Sequence, residues 1–276
     1  MIYKKYGLDE FSYGKLKSKS NVSLTAYIPE NFPEMDMERR RKVIIICPGG
    51  GYRFVSDREA EPVAIRFMAE DFACFVLKYS IVPEFYPKPQ LELCMAIKFI
   101  KDNADNFMID KDDITVMGFS AGGHLAASIS VMAQTDEYAD MLDLSADDIT
   151  PSKAILCYPV ISTDRAIYSA ETFENLFKGL EIDESKSLEK LVNDKTLPTI
   201  IWTTKTDQTV PYENSLVFAD ALKKHNIKHF LKVYDDGVHG LSLANEVTRI
   251  KKYENSVNSD VATWPQFCIE KLKELG

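Results

Sequence analysis

No stretch of this sequence approaches the ~18 consecutive apolar residues of a membrane span. The opening fifteen residues, MIYKKYGLDEFSYGK, hold neither an apolar signal core nor a small-residue cleavage site. No membrane association is expected, and a cytoplasmic location is. Paired cysteines are also lacking. The five thiols, Cys47, Cys74, Cys94, Cys157 and Cys268, are odd in number, widely spaced and without a C-x-x-C pair. Cys47, Cys74 and Cys157 lie inside apolar runs, which makes them buried free thiols of a reducing compartment. None has a base beside it, so a cysteine nucleophile is not expected. Basic excess is absent as well: the net charge of -9 argues against nucleic acid as a partner. There is no internal repeat, low-complexity tract or linker. Histidine is scarce, with four in 276 residues. Oligomeric state stays open.

At 45% hydrophobic and 27% charged, the chain can bury one large core as a single domain over residues 1–276. Strands are expected at 23–28, 42–47, 73–79, 114–117, 154–158, 199–204 and 229–234. Several are continuously apolar, such as KVIIIC and LPTIIW, as strands covered on both faces are. Amphipathic helical stretches fall at 61–71, 90–104, 123–132, 212–225 and 263–275. This alternation predicts an α/β fold with a mostly parallel, doubly wound sheet and helices on both faces. Residues 23–28 alternate polar and apolar and read as an antiparallel edge strand. Residues 30–41 read as a charged surface connection. Residues 161–195 read equally as a small lid over the carboxyl ends of the strands, where such folds bind ligands, or as a surface excursion.

The sequence VMGFSAGGHLAA places Ser120 in a G-x-S-x-G pattern between a strand and an alanine-rich helix. That context suits a nucleophile on a tight strand-to-helix turn. Gly118 and Gly122 relieve crowding there, and the N–H of Ala121 can point at an oxyanion beside a helix N-terminus. The plain alternative is a glycine turn with a serine N-cap.

A serine needs a base. His124 rides the helix that leaves the turn, and His225 and His229 flank a polar turn. His239, in YDDGVHGLSL after a late strand, is placed as a base should be. Its carboxylate partner is expected to be Asp207, in the loop TDQTVP after another apolar strand, with Pro211 opening the next helix. Asp235 and Asp236 are the rivals, close in sequence but obliged to fold back on their own loop. The order Ser120, Asp207, His239 is that of α/β-hydrolases. The loop Pro48-Gly49-Gly50-Gly51-Tyr52 can bring backbone N–H groups to an oxyanion. It is no dinucleotide fingerprint, since Phe54 stands where the last glycine would be. Ser56 and Glu59 fit a capping box, so Glu59 needs no catalytic role. Asp57, Arg58 and Glu61 could face a pocket.

Together, PGGGY with REAEP after it, GFSAGGHLAA, YPVIS, TDQTVP and GVHGLSLA resemble the α/β-hydrolase superfamily. Within it they look like the acetyl xylan esterase-like and feruloyl-esterase-like carbohydrate esterases. The likeness runs from about residue 42 to 243. It implies Ser120 as nucleophile, His239 as general base and Asp207 as its partner. It also implies oxyanion donors at Ala121 and in Gly50–Gly51, and Tyr52 lining the acyl pocket. Pro48 replaces the histidine of the lipase-type loop, which departs from lipase-like specificity. The expected activity is hydrolysis of short acyl esters, acetyl above all, on xylo- or manno-oligosaccharides through an acyl-enzyme, with no metal or organic cofactor. A peptidase or amidase of the same fold and a non-catalytic binding protein are the alternatives.

Overall fold

The structure is a computed structural model that describes residues 1–132, 136–251 and 253–276. The described residues form one eight-stranded sheet in the order β1-β2-β4-β3-β5-β6-β7-β8. The strands are β1 (Ile2–Gly7), β2 (Ser23–Ile28), β3 (Arg41–Cys47), β4 (Ala73–Lys78), β5 (Ile109–Phe119), β6 (Lys153–Cys157), β7 (Thr199–Thr204) and β8 (His229–Tyr234). β1 and β2 are antiparallel additions, and β4 through β8 run parallel to β3.

The longer helices are α1 (Glu61–Met68), α2 (Lys88–Asp102), α3 (Ala121–Met132), α4 (Asp136–Leu142), α5 (Ala170–Leu176), α6 (Glu213–Lys224) and α7 (Trp264–Leu275). Successive strand side chains point to opposite faces, so β3 feeds two cores at once. Val43 and Ile45 pack with α2, α3 and α6, while Ile44 and Ile46 pack with α1 and α7. This double coverage is why the strand sequences read as unbroken apolar runs.

Two sequence expectations change. Residues 23–28 are antiparallel but not an edge. All six are buried, because β1 pairs beyond them and takes the edge. Arg41 belongs to β3 rather than to the surface connection. It is 2% exposed and its guanidinium bonds Asp71 and Asn31 at 2.9 and 2.7 Å. All five cysteines are buried and free, and no described helix is long and apolar enough to cross a membrane.

The chain leaves β3 toward β4 on one side and returns through β5 on the other. A crevice therefore opens at the carboxyl ends of β3 and β5, the position where doubly wound sheets bind ligands. Near it, Glu92 of α2 anchors the chain as it leaves β4, accepting from the N–H and Oγ of Ser80 at 2.6 and 2.5 Å. Burial pushes the Glu92 carboxyl up to about 7 against the pull of the Ser80 donors. The unfolded glutamate loses its proton near 4.3, so between the two values the native state holds the extra proton. That stabilisation is fully present below about pH 4.3 and is lost as the pH rises through 7, at up to about 1.4 kcal/mol per pH unit. Urea unfolding across this range should show wild type losing stability relative to Glu92→Gln as the pH rises. A flat difference would contradict it.

Candidate active site

Ser120 directly follows β5 and sits in the left-handed region at φ 54°, a conformation a non-glycine residue holds only when its surroundings impose it. Here its N–H donates to Cys157 O at 3.0 Å, and its own carbonyl accepts from His124 and Val160 at 3.0 and 3.2 Å. The glycines permit the close approach behind it. A Cβ on Gly118 would lie 1.9 Å from Gly122 O, and one on Gly122 would lie 2.1 Å from Cys47 O. The strand end, the turn and the start of α3 are thus pressed together, and the hydroxyl is pushed to the top of the sheet.

His239 lies on the loop after β8. Its Nε2 is 2.8 Å from Ser120 Oγ and its Nδ1 is 2.6 Å from Asp207 Oδ2. A carboxylate can only accept, so Nδ1 carries the proton and Nε2 is free to accept from the serine hydroxyl. Asp207, on the loop after β7, is 5% exposed. Its other oxygen accepts from the N–H groups of Thr209 and Val210 at 2.8 and 3.0 Å, which locks the carboxylate in place. The rival carboxylates are committed elsewhere: Asp235 pairs with Lys205 and Asp236 accepts from Thr206 Oγ1. Pro211 lies two residues ahead of α6, which starts at Glu213, rather than in its first turn.

The glycine loop after β3 faces the same point. Gly50 and Gly51 have positive φ, 133° and 61°. Among the described residues, the N–H groups of Gly50, Gly51 and Ala121 donate to no protein acceptor. Gly50, Gly51, Ser120 and His239 line a cleft of about 390 Å³ with Thr172 and Val210. Helix α5, from the 161–195 excursion, docks on this loop. Asn175 Nδ2 donates to Gly51 O at 2.7 Å, and Glu171 pairs with Arg53 at 3.1 Å.

Tyr52, expected in the pocket wall, is 1% exposed and turned inward. Its φ of 56° swings the ring away from the cleft, edge-on to Tyr79, with its hydroxyl 3.1 Å from His124 Nδ1. His124 is accordingly a buried helix residue behind the loop, and burial drives its imidazole down to about 3. His225 is exposed and His229 half-buried. Asp57 pairs with Lys78 and Glu61 accepts from Tyr27, whereas Arg58 lines the cleft and donates to Gly240 O at 2.9 Å.

Glu59 is the residue that sequence reasoning misplaced. Ser56 makes no side-chain cap bond, and the carboxyl of Glu59 turns inward to 2% exposure. One oxygen accepts from Gly49 N–H at 2.8 Å and the other from Tyr158 OH at 2.6 Å. Tyr158 in turn accepts from Ser242 N–H at 3.1 Å and packs edge-on against the His239 ring. Burial and then the Glu59 charge hold the Tyr158 hydroxyl well above its ordinary pKa, so it stays a donor. One buried carboxyl thus ties the glycine loop to the histidine loop. The signal available for it was REAEP beside YPVIS.

Known proteins resemble this chain in sequence and fold. Residues 28–162 match the BD-FAE family. An endo-1,4-beta-xylanase B of Butyrivibrio fibrisolvens is 35% identical over 231 residues, covering 80% of this chain. The chain spans 36% of that xylanase's length. Among solved structures, the carboxylesterase Cest-2923 of Lactobacillus plantarum superposes with a TM-score of 0.87 at 29% identity, covering 99% of this chain and 98% of that one. The acetyl ester-xyloside bifunctional hydrolase of Caldicellulosiruptor lactoaceticus superposes with a TM-score of 0.79 at 31% identity, covering 94% and 90%. Fold and relatives together place the chain in the α/β-hydrolase superfamily, with a sequence resembling its carbohydrate esterases.

Proposed function

We propose that this protein removes short acyl groups, acetyl above all, from carbohydrates such as xylo- or manno-oligosaccharides by serine acyl transfer. The observation that carries it is the hydrogen-bonded series Ser120–His239–Asp207 opening on a cleft beside the unclaimed N–H groups of Gly50, Gly51 and Ala121. Ser120 Oγ attacks the ester carbonyl while His239 Nε2 takes its proton, and Asp207 stabilises the imidazolium. The oxyanion is held by the three N–H groups, each donor of this kind being worth about 2.7–4 kcal/mol. The sugar alcohol leaves with the proton from His239. Water, activated by the same imidazole, then hydrolyses the acyl-enzyme.

Polar walls at Arg58, Ser169, Thr172 and Thr209 suit a hydroxyl-rich alcohol, and the names of the xylanase and the acetyl ester-xyloside hydrolase point to the same substrates. Residues 169–172 belong to the excursion, which acts as a small lid over one wall. Acetate release from acetylated xylo- and manno-oligosaccharides, run beside aminoacyl-arylamides, tests this assignment. Acetate from the sugars with arylamides untouched is expected. Preference for arylamides would favour a peptidase.

A further inference from the structure

A second cavity, of about 230 Å³, lies behind the glycine loop between α2, α3, α4 and the 161–195 excursion. Into it face two side chains whose polar atoms lack partners. Gln90 is wholly buried, with neither its Oε1 nor its Nε2 hydrogen-bonded. His124 is 1% exposed, and its Nε2 is unpaired. The other polar groups around this cavity are committed: Ser128 Oγ donates to Leu125 O, Tyr86 OH to Glu137, and Lys186 Nζ to Ser185 Oγ. Buried polar groups are rarely left unpaired, because leaving them so costs about as much as a lost hydrogen bond or more. Two such residues from different helices, meeting at one hollow, mark a place for a ligand.

We propose that this cavity binds a small neutral molecule with a carboxamide-type head and an apolar or aromatic body. The head follows from the donors and acceptors on offer. Burial raises the Tyr52 hydroxyl well above its ordinary pKa, so Tyr52 keeps its proton, and with His124 Nδ1 its one acceptor among the described residues it donates there. The neutral imidazole then carries its hydrogen on Nε2, aimed at the cavity. Gln90 adds one amide acceptor and one amide donor. A head carrying a carbonyl oxygen and an N–H group answers all three.

The walls exclude other classes. Phe177, Leu188, Leu191 and Met132 face the body, where a uniformly hydroxylated sugar would bury unpaired groups. Among the described residues no counter-charge lies beside the two unpaired ones, and the charged lining groups, Glu137 and Lys186, are exposed and half-buried. An ionised carboxylate would therefore lose its hydration without compensation. The volume lies below that of drug-sized sites, which limits the ligand to one ring or a short chain. The site does not depend on the chemistry assigned to the cleft, so its failure would leave that assignment standing.

Benzamide, benzoate and xylose are the probes, applied to the full chain with ligand-detected NMR and thermal shift as readouts. Benzamide is expected to bind in roughly the millimolar range for a ligand this small and to raise Tm. Benzoate and xylose should bind at least tenfold more weakly. Gln90→Leu, which keeps the volume and removes the amide, should weaken benzamide at least tenfold while ester hydrolysis persists. If that variant fails to fold, Leu191→Trp, which fills the hollow, should do the same. No benzamide binding, binding unchanged in either variant, or a benzamide-soaked crystal holding only water there would overturn the proposal.

Discussion

Ser120→Ala is expected to lower ester hydrolysis by roughly 10⁴- to 10⁶-fold in kcat while leaving the fold intact. The size follows from what is removed. Without the hydroxyl there is no acyl-enzyme, and what remains is the contribution of substrate binding and of the oxyanion donors to attack by water, which in serine hydrolases retains roughly 10³–10⁴ over the uncatalysed rate. The fold should tolerate the change because the turn is held by backbone bonds, Ser120 N–H to Cys157 O and Val160 N–H to Ser120 O. Alanine keeps the Cβ that already occupies the left-handed conformation, and the one bond lost is that to His239. Steady-state kinetics on an aryl acetate and a thermal melt check both halves. Activity within tenfold of wild type would reassign the nucleophile.

Glu59→Ala carries the second large effect, and it should act on rate and on stability together. The substitution strips the acceptor from Gly49 N–H and from Tyr158 OH, both buried. Each orphaned group costs about 1–3 kcal/mol, enough to lower Tm by several degrees. The rate should suffer more than this alone implies, because Gly49 adjoins the Gly50 and Gly51 donors and Tyr158 packs on His239. A displacement of about 1 Å in such groups can cost on the order of 10²-fold. The fall is expected in kcat, with KM much less changed, since the oxyanion forms only after binding. Glu59→Gln separates positioning from filling. Its single amide oxygen can accept from Gly49 N–H or from Tyr158 OH but not from both in their present places, since each now donates to a different carboxylate oxygen. Gln should therefore recover part of the rate and most of the stability. Equal kcat in wild type and both variants would remove Glu59 from the site.

The parts of the fold legible in the sequence were those where one force dominates. β3, β6 and β7 are covered on both faces, and their unbroken apolar runs follow directly from that. Ser120, Asp207 and His239 stand out in the sequence because each follows a strand in a fixed order, and the structure brings Ser120 and Asp207 each within hydrogen-bond distance of His239. What escaped was set by neighbours distant in the chain. β1 is mostly exposed, with two lysines and no strong alternation, and only its pairing with β2 makes it a strand. Without it, residues 23–28 looked like an edge. Tyr52 was read by its place beside the glycines, but its backbone turns the ring inward toward Tyr79 and His124. Glu59 sits where a local capping bond is available, and two donors claim its carboxylate instead, Gly49 N–H and, ninety-nine positions away, Tyr158 OH.

The central claim is that Ser120 is activated by His239 for attack on an acyl carbon, and a serine-directed fluorophosphonate tests it most directly. Intact-mass analysis of the treated protein is expected to show one adduct. Peptide mapping should place it on Ser120, and labelling should be abolished in Ser120→Ala and strongly slowed in His239→Ala. No adduct on wild type, or an adduct that persists in Ser120→Ala, would contradict the account.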